Sequence, residues 1–258
     1  MNAQAIIKAQ AVGGVVRNIR SLQRACGGCI HSQSCLPGNL TSAGRAYVDG
    51  LVRHPRTLRR GEHLYWPGAN FESVYVLRSG AVKTYILDAS GIEQITGFYG
   101  PGDWVGLDAF GAASNPSAAI ALADTALCAI AFVELDKLCA SEPGLRQHLW
   151  RRLSQVIQDS QAHALLLTEK PAEQRLASFL VQLSDRQRTA GLTAGDIELS
   201  MGRADIANFL GMATETVSRW FTRLQQLNVI FANGRHVLIR DCAALRHIAT
   251  GLGTGCSH

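Results

Sequence analysis

The sequence predicts an α+β chain in three parts: an N-terminal β-roll, a long helix, and a C-terminal winged helix-turn-helix. Three observations carry that expectation. Residues 58–132 are a succession of short β-branched and aromatic runs broken by Gly, Pro, Asn and Asp, the texture of an all-β roll or barrel. From Pro143 the apolar period becomes helical and stays so to Thr168. Beyond it, two helical stretches separated by Gly211-Met212-Ala213 precede two short strands around Asn233-Gly234. At 258 residues the chain exceeds the usual single-domain size, so more than one core is expected.

Taken in order, residues 1–24 show no strong period beyond a short amphipathic piece at 15–22. Leu36-Pro37-Gly38-Asn39 signals a turn, and residues 41–52 suit a short helix with Ala46, Tyr47, Leu51 and Val52 on its apolar side. In the β block, runs at 73–78 and 81–87 flank Ser79-Gly80, which predicts a two-residue hairpin. A second turn at Asp88-Ala89-Ser90-Gly91 leads to a strand at 94–98. Gly100-Pro101-Gly102-Asp103 breaks that strand, residues 120–130 supply closing strands, and no helix is expected inside the block.

In the long helix, Trp150, Leu153, Ile157, Ser160, Ala164 and Leu167 recur at alternating steps of three and four, a heptad-like seam. Such a seam suits either a core helix or a helix that joins a second copy, and its place between two modules favours dimerisation. Lys170-Pro171 ends it, because proline cannot continue the ladder and restricts the residue before it. Residues 171–189 form a further amphipathic helix, with Leu176, Phe179, Leu180 and Leu183 on one face and Arg175, Asp185, Arg186 and Arg188 outside it. A short strand at 197–199, helices at 203–210 and 214–227, and a hairpin whose Asn-Gly suits a type I′ turn complete the chain. The expected divisions are 1–45 (cysteine segment), 46–142 (roll), 143–169 (dimerisation helix) and 170–258 (winged helix-turn-helix).

A net charge of +5 permits an anionic partner without requiring one. The charge is informative where it is concentrated: residues 201–240 hold five arginines against two acids. Lys8 and Arg17 interrupt the first twenty residues, so no signal peptide is read there. The longest apolar run, 118–133, contains Asp124 and is too short to span a bilayer. A cytoplasmic location without membrane contact is therefore expected, where seven cysteines are more often free, metal-bound or redox-active than disulfide-bonded. No catalytic constellation is present. Cys26-Gly27-Gly28-Cys29 has the C-x-x-C of a thiol oxidoreductase but not the βαβ pattern that would accompany it, so no enzyme is expected.

Two constellations carry chemistry. Cys26, Cys29 and Cys35 have the spacing C-x2-C-x5-C, and Gly27 and Gly28 let the backbone fold tightly beneath a large ligand. Three thiolates cannot complete a four-cysteine site, and His31 could serve a zinc site instead. At the start of the second helix of the pair, Glu215, Ser218 and Arg219 lie at i, i+3 and i+4 on one face. In a helix-turn-helix those positions meet base edges: Arg219 suits a guanine, Glu215 a cytosine amino group, and Ser218 either a base edge or a phosphate. The same three residues would also make an ordinary solvated face, but the turn before them, the hairpin after them and the surrounding arginines favour DNA. Thr214, Thr216, Arg203 and Arg223 complete the candidate DNA-contacting set.

Thr214-Glu215-Thr216-Val217-Ser218-Arg219 resembles the E-x-x-S-R recognition helix of the CRP/FNR family of bacterial transcription regulators. The resemblance reaches back through Asp103-Trp104-Val105-Gly106 and Arg78-Ser79-Gly80, and it is to the FNR-like, oxygen-responsive branch. It implies that the roll is a jelly roll like those that bind cyclic nucleotides. It also implies that Cys26, Cys29, Cys35 and Cys128 ligate an oxygen-labile [4Fe–4S] cluster. The partners implied are a second copy in a homodimer, double-stranded DNA with palindromic TTGAT-like half-sites, and RNA polymerase, in the control of anaerobic or microaerobic gene expression. Two residues depart from the pattern. Ala213 stands where relatives often have a hydroxyl N-cap, and Ser160, with Asp159 beside it, stands where the branch has an acid on the dimer seam.

Relatives that bind cyclic AMP place an Arg-Ser pair against the phosphate. Here that stretch reads Ser114-Asn115-Pro116-Ser117-Ala118-Ala119, and no basic residue occurs between Lys83 and Lys137. The alternative to a cluster sensor is a regulator with a structural zinc or redox-thiol site and a different effector in the roll. The other cysteines, 139, 242 and 256, have no partner spacing and read as small apolar or incidental thiols.

Overall fold

The computed structural model describes residues 29, 35, 40–51, 56–189, 193 and 195–251. The amphipathic piece at 15–22, the turn at 36–39, and Cys26, His31 and Cys256 lie outside the described residues. The first helix is α1 (Ser42–Leu51). Eight strands follow: β1 (Arg56–Leu58), β2 (His63–Tyr65), β3 (Ser73–Ser79), β4 (Val82–Leu87), β5 (Glu93–Tyr99), β6 (Trp104–Val105), β7 (Ala118–Ala121) and β8 (Thr125–Ala131). They form two four-stranded antiparallel sheets, ordered β1-β8-β3-β6 and β2-β7-β4-β5. Leu58, Leu64, Leu77, Val82, Val105 and Leu127 fill the space between them. β-Branched and aromatic residues at alternate positions make each strand half-buried, as a roll requires.

The Ser79-Gly80 turn is not a hairpin. β3 and β4 belong to different sheets, so the turn carries the chain round the corner of the roll. Gly80 has φ +84°, and a Cβ there would lie 2.5 Å from the Asp124 carbonyl oxygen, so only glycine fits this corner. The Thr125 hydroxyl secures the corner, accepting from the Ala81 N–H and lying 3.1 Å from the Ala81 carbonyl. The true hairpin joins β4 to β5, where one Asp88 carboxylate oxygen accepts from the Ser90 and Ile92 N–H groups.

A helix absent from the expectation, α2 (Phe132–Ser141), closes the roll and leads directly into α3 (Pro143–Glu169), the 27-residue long helix. Lys170 is extended (φ −98°, ψ 137°) before Pro171, as the sequence predicts. The C-terminal module contains α4 (Ala172–Thr189), β9 (Asp196–Glu198), α5 (Arg203–Phe209), α6 (Thr214–Gln226), β10 (Ile230–Asn233), β11 (His236–Ile239) and the unforeseen α7 (Cys242–Thr250). Its sheet is ordered β10-β11-β9. The wing turn sits one residue later than the Asn-Gly signal suggests. Asn233 stays in the ladder opposite His236, and only Gly234 takes positive φ (+59°), so the type I′ geometry, which needs two such residues, is not formed.

Two further clusters set the architecture. The outer face of the β1-β8-β3-β6 sheet packs against α1, α2 and the first half of α3 through Val74, Val76, Ile130, Leu135, Leu145 and Leu149. The outer face of the other sheet, through Tyr85, Ile95 and Phe98, shares a core with α4, α5 and α6. Among the described residues, no helix is long and apolar enough to cross a membrane.

Candidate functional site

Cys128 lies at the middle of β8, opposite Val76 of β3. Opposed residues in an antiparallel pair share a face, so its thiol is on the side of Val74, Val76 and Ile130, outside the roll and beneath the α1–α3 layer. Cys35, half-buried, packs on that same cluster. Burial pushes the Cys128 thiol up from its ordinary pKa, the Arg78 guanidinium pulls it down, and the neighbouring Cys29 thiol adds a further upward push. Cys35 and Cys128 therefore meet one cluster on one side of one sheet, and Cys29 lies near enough to Cys128 to act on its thiol. Among the described residues, no three Cys, His, Asp or Glu side chains are gathered closely enough to hold a metal ion. Cys139 is buried in the α2–α3 cluster as a small apolar side chain, and Cys242 is exposed at the start of α7.

The long helix presents Trp150, Ile157, Ser160 and Ala164 to solvent, with Trp150 67% and Ile157 58% exposed. These two apolar side chains stand one heptad apart on one face of α3. Leu153 turns partly towards the α1–α3 cluster and Leu167 towards the C-terminal core. Leu165, outside the heptad seam, is 55% exposed. The Ser160 hydroxyl donates to the Val156 carbonyl, and the Asp159 carboxylate accepts from Gln155.

On α6, Thr214, Glu215, Ser218, Arg219 and Arg223 are exposed and Thr216 is half-buried. Ser218, Arg219 and Arg223 line a shallow groove together with Thr222 and Gln226, two residues the sequence reading missed although they continue the same i, i+4 rows. Arg219 donates to the Thr216 hydroxyl (3.3 Å), which holds its guanidinium along the exposed face. Ala213 is the N-cap and makes no side-chain cap; Thr214 is the first helical residue and does not replace it, its carbonyl instead accepting from the Ser218 hydroxyl. Arg203 is placed differently from the rest of the candidate set. Its guanidinium lies 3.3 Å over the Phe221 ring and donates to the Gly234 carbonyl of the wing turn (3.4 Å), and burial pulls its pKa down. It joins α5, α6 and the wing rather than standing on the groove.

Two polar residues with no signature in the sequence position this interface. Arg175 on α4 donates to the carbonyls of Leu167, Lys170, Leu210 and Gly211, so one guanidinium gathers the end of α3, the bend and the turn before α6. Asn208 on α5 pairs with the free edge of β5, accepting from the Ile95 N–H (2.7 Å) and donating to the Glu93 carbonyl (2.8 Å) as a strand would. Beside it, Lys83 bridges Glu93 (2.6 Å) and Asp205 (2.9 Å), roll to α5.

Two family descriptions match the chain: a Crp-like helix-turn-helix domain over residues 174–248 and a cyclic nucleotide-binding domain over residues 55–142. The transcriptional activator protein Anr of Pseudomonas protegens is 45% identical, with 89% of this chain and 94% of that protein covered. The fumarate and nitrate reduction regulatory protein of Escherichia coli K12 is 37% identical over 91% and 95% of the two chains. This chain belongs to the CRP/FNR family of transcription regulators. Its Anr and FNR relatives set it in the FNR-like branch, whose members are regulators and not enzymes. Among solved structures, FixK2 from Bradyrhizobium japonicum is similar with a TM-score of 0.70 and 31% identity, covering 76% of this chain and 96% of that one.

Membership of this family does not by itself assign a nucleotide to the roll. Ser117, 2% exposed, donates to the Asp108 carboxylate (2.6 Å). Burial, with Asp108 adding to it, pushes up the hydroxyls of Tyr65 and Tyr99.

Proposed function

We propose that this CRP/FNR-family chain is a cytoplasmic, oxygen-responsive DNA-binding regulator. In this reading Cys26, Cys29, Cys35 and Cys128 hold a [4Fe–4S] cluster, and two copies join along Trp150, Leu153, Ile157, Ser160, Ala164 and Leu167. The dimer sets two α6 helices on a palindromic TTGAT-like site and acts with RNA polymerase on anaerobic or microaerobic promoters. The observation that supports the reading is that Cys35 packs on the same outer sheet face that carries Cys128, the face on which the first half of α3 packs, with Cys29 near enough to act on the Cys128 thiol. The donors suit the group. They are soft thiols, and a thiol made reluctant to ionise by burial is kept as a thiolate by coordination. When bound, the cluster supplies an oxygen-reactive centre.

Cys128 anchors the site to β8, and Cys29 and Cys35 carry its state to the segment that precedes α1. Two recognition helices one helical turn of DNA apart bind together only in a dimer, so dimer strength sets DNA affinity. On α6, Arg219, Glu215 and Ser218 read base edges, Thr214, Thr216 and Arg223 flank them, and Arg203 holds the wing against the helix.

Protein purified without air should be brown and carry about four irons and four sulfides per chain. Colourless protein with one zinc per chain would replace this reading with a structural thiol site and a different effector.

A further inference from the structure

We infer that Glu142 is a positioning residue that couples the cysteine segment to the first turn of the long helix α3. The inference rests on the reading of Cys26, Cys29, Cys35 and Cys128 as the sensing site, and asks how the state of that site reaches the dimer seam. Glu142 is the single residue between α2 and α3. Its N–H donates to the Leu138 carbonyl (2.8 Å) and its carbonyl accepts from Leu145 (3.0 Å) and Arg146 (3.2 Å), so its backbone ends one helix and begins the next.

Its side chain is only 8% exposed and points away from both helices, towards α1. There Oε2 accepts from the Thr41 N–H (3.3 Å) and Oε1 accepts from the Thr41 hydroxyl (2.5 Å). The same hydroxyl accepts from the Gly44 N–H (3.2 Å), so the residue that caps α1 is the residue that binds Glu142. Gly44 leaves room for this approach. A Cβ at 44 would fall 2.5 Å from Oε1, so any larger residue would push the carboxylate out.

Thr41 follows Cys35 by six positions. Leu40 and Val48, before and after Thr41 in the chain, and Leu145 and Leu149 of α3 are buried in the cluster on which Cys35 packs. Packed elements of this kind move as bodies rather than deform. A shift of the chain at Cys35 therefore moves Thr41, and Thr41 either keeps or loses the carboxylate. A buried carboxylate is a costly choice for a joint that an apolar side chain could fill, and its two donors come from one residue. Losing them would expose or strand the charge, so the joint links the position of Thr41 to the head of the helix that carries the seam. Trp150 begins that seam eight residues further on, about 12 Å along the helix axis.

The test is the dimer dissociation constant, measured by sedimentation in anaerobic buffer, for iron-loaded and iron-stripped full-length protein. Wild type should show a loaded-to-stripped difference in the usual range for coupled sites, about 5–150-fold. In Thr41→Val and in Glu142→Ala the iron content and visible spectrum should match wild type, while the difference falls to within about twofold of none. Thr41→Ser should restore it. A purely structural role would lower the unfolding midpoint without changing this ratio. Should Glu142→Ala fail to fold, Thr41→Val, which keeps the side-chain shape, decides alone. A wild-type ratio retained in Thr41→Val overturns the coupling and leaves the reading of the site intact. A wild type that loads no iron, or dimerises equally with and without it, overturns the reading of the site and the coupling with it.

Discussion

The two sheets of the roll are alike on the inside and different on the outside. Facing each other, they bury the same kind of aliphatic and aromatic residues, Leu77 and Leu127 from one, Leu64 and Val82 from the other. Outwards, the β1-β8-β3-β6 sheet carries Cys128 and packs on α1, α2 and the head of α3. The β2-β7-β4-β5 sheet carries no cysteine and packs on α4 and α5 through Phe98, Phe179 and Phe209, whose rings lie 5.1–6.1 Å apart. One face receives Cys35 and Leu40, and the other holds the C-terminal helix-turn-helix module. A single roll thus carries Cys128 and the α1–α3 layer on one outer face and the C-terminal module on the other, with α3 packing beside both.

The largest expected effect of breaking this division falls on the second face. Asn208→Ala removes the side chain that completes the β5 edge, leaving the Ile95 N–H and Glu93 carbonyl without that partner. Urea unfolding should show a loss of about 1–3 kcal/mol. Iron loading, which depends on the first face, should be unchanged. An equal loss of iron would show that the faces are not separable.

A smaller effect comes from His163 on α3, which stacks on Phe209 of α5 at 4.1 Å. Burial pulls its pKa below the ordinary 6.5. The unfolded chain therefore takes the proton first as pH falls, and the contribution to stability present above about pH 6.5 is lost as pH drops towards the folded value. His163→Phe keeps a ring on Phe209 and removes the titration, so the unfolding midpoint between pH 7 and pH 5 should vary less than in wild type. His148, also pulled down by burial and by Arg152 and Arg151, remains to titrate, so the slope should shrink rather than vanish. An unchanged slope would remove His163 from the account.

Much of this was legible in the residues, and what was not has physical reasons. The 3.6-residue period of α3 and α6 and the Pro171 break act locally, so the helices fall where the pattern puts them. The Ser79-Gly80 turn is local too, but whether it makes a hairpin or a corner depends on which strands β3 and β4 later find. α2 escaped notice because it follows β8 with no polar stop, its N-cap Ala131 having no side-chain cap. α7 could have been found: Asp241 caps it by accepting from the Ala244 N–H and Gly251 ends it in the left-handed region. Asn208 and Glu142 could not, since each acts on backbone or hydroxyl groups distant in sequence, and the same holds for the reach of Arg175 to Leu210 and Gly211. The α6 face and Cys29, Cys35 and Cys128 were each visible as residues; that Cys128 faces the cluster on which Cys35 packs needed the β3–β8 register.

The decisive measurement is DNA binding of wild type and Cys128→Ala to a palindromic TTGAT-like duplex, in anaerobic buffer and again after exposure to air. Wild type should bind tightly without air and weaken on exposure, while Cys128→Ala should bind weakly in both. Cys128→Ala binding as wild type does, with the same response to air, would contradict the claim that this face of the roll senses oxygen.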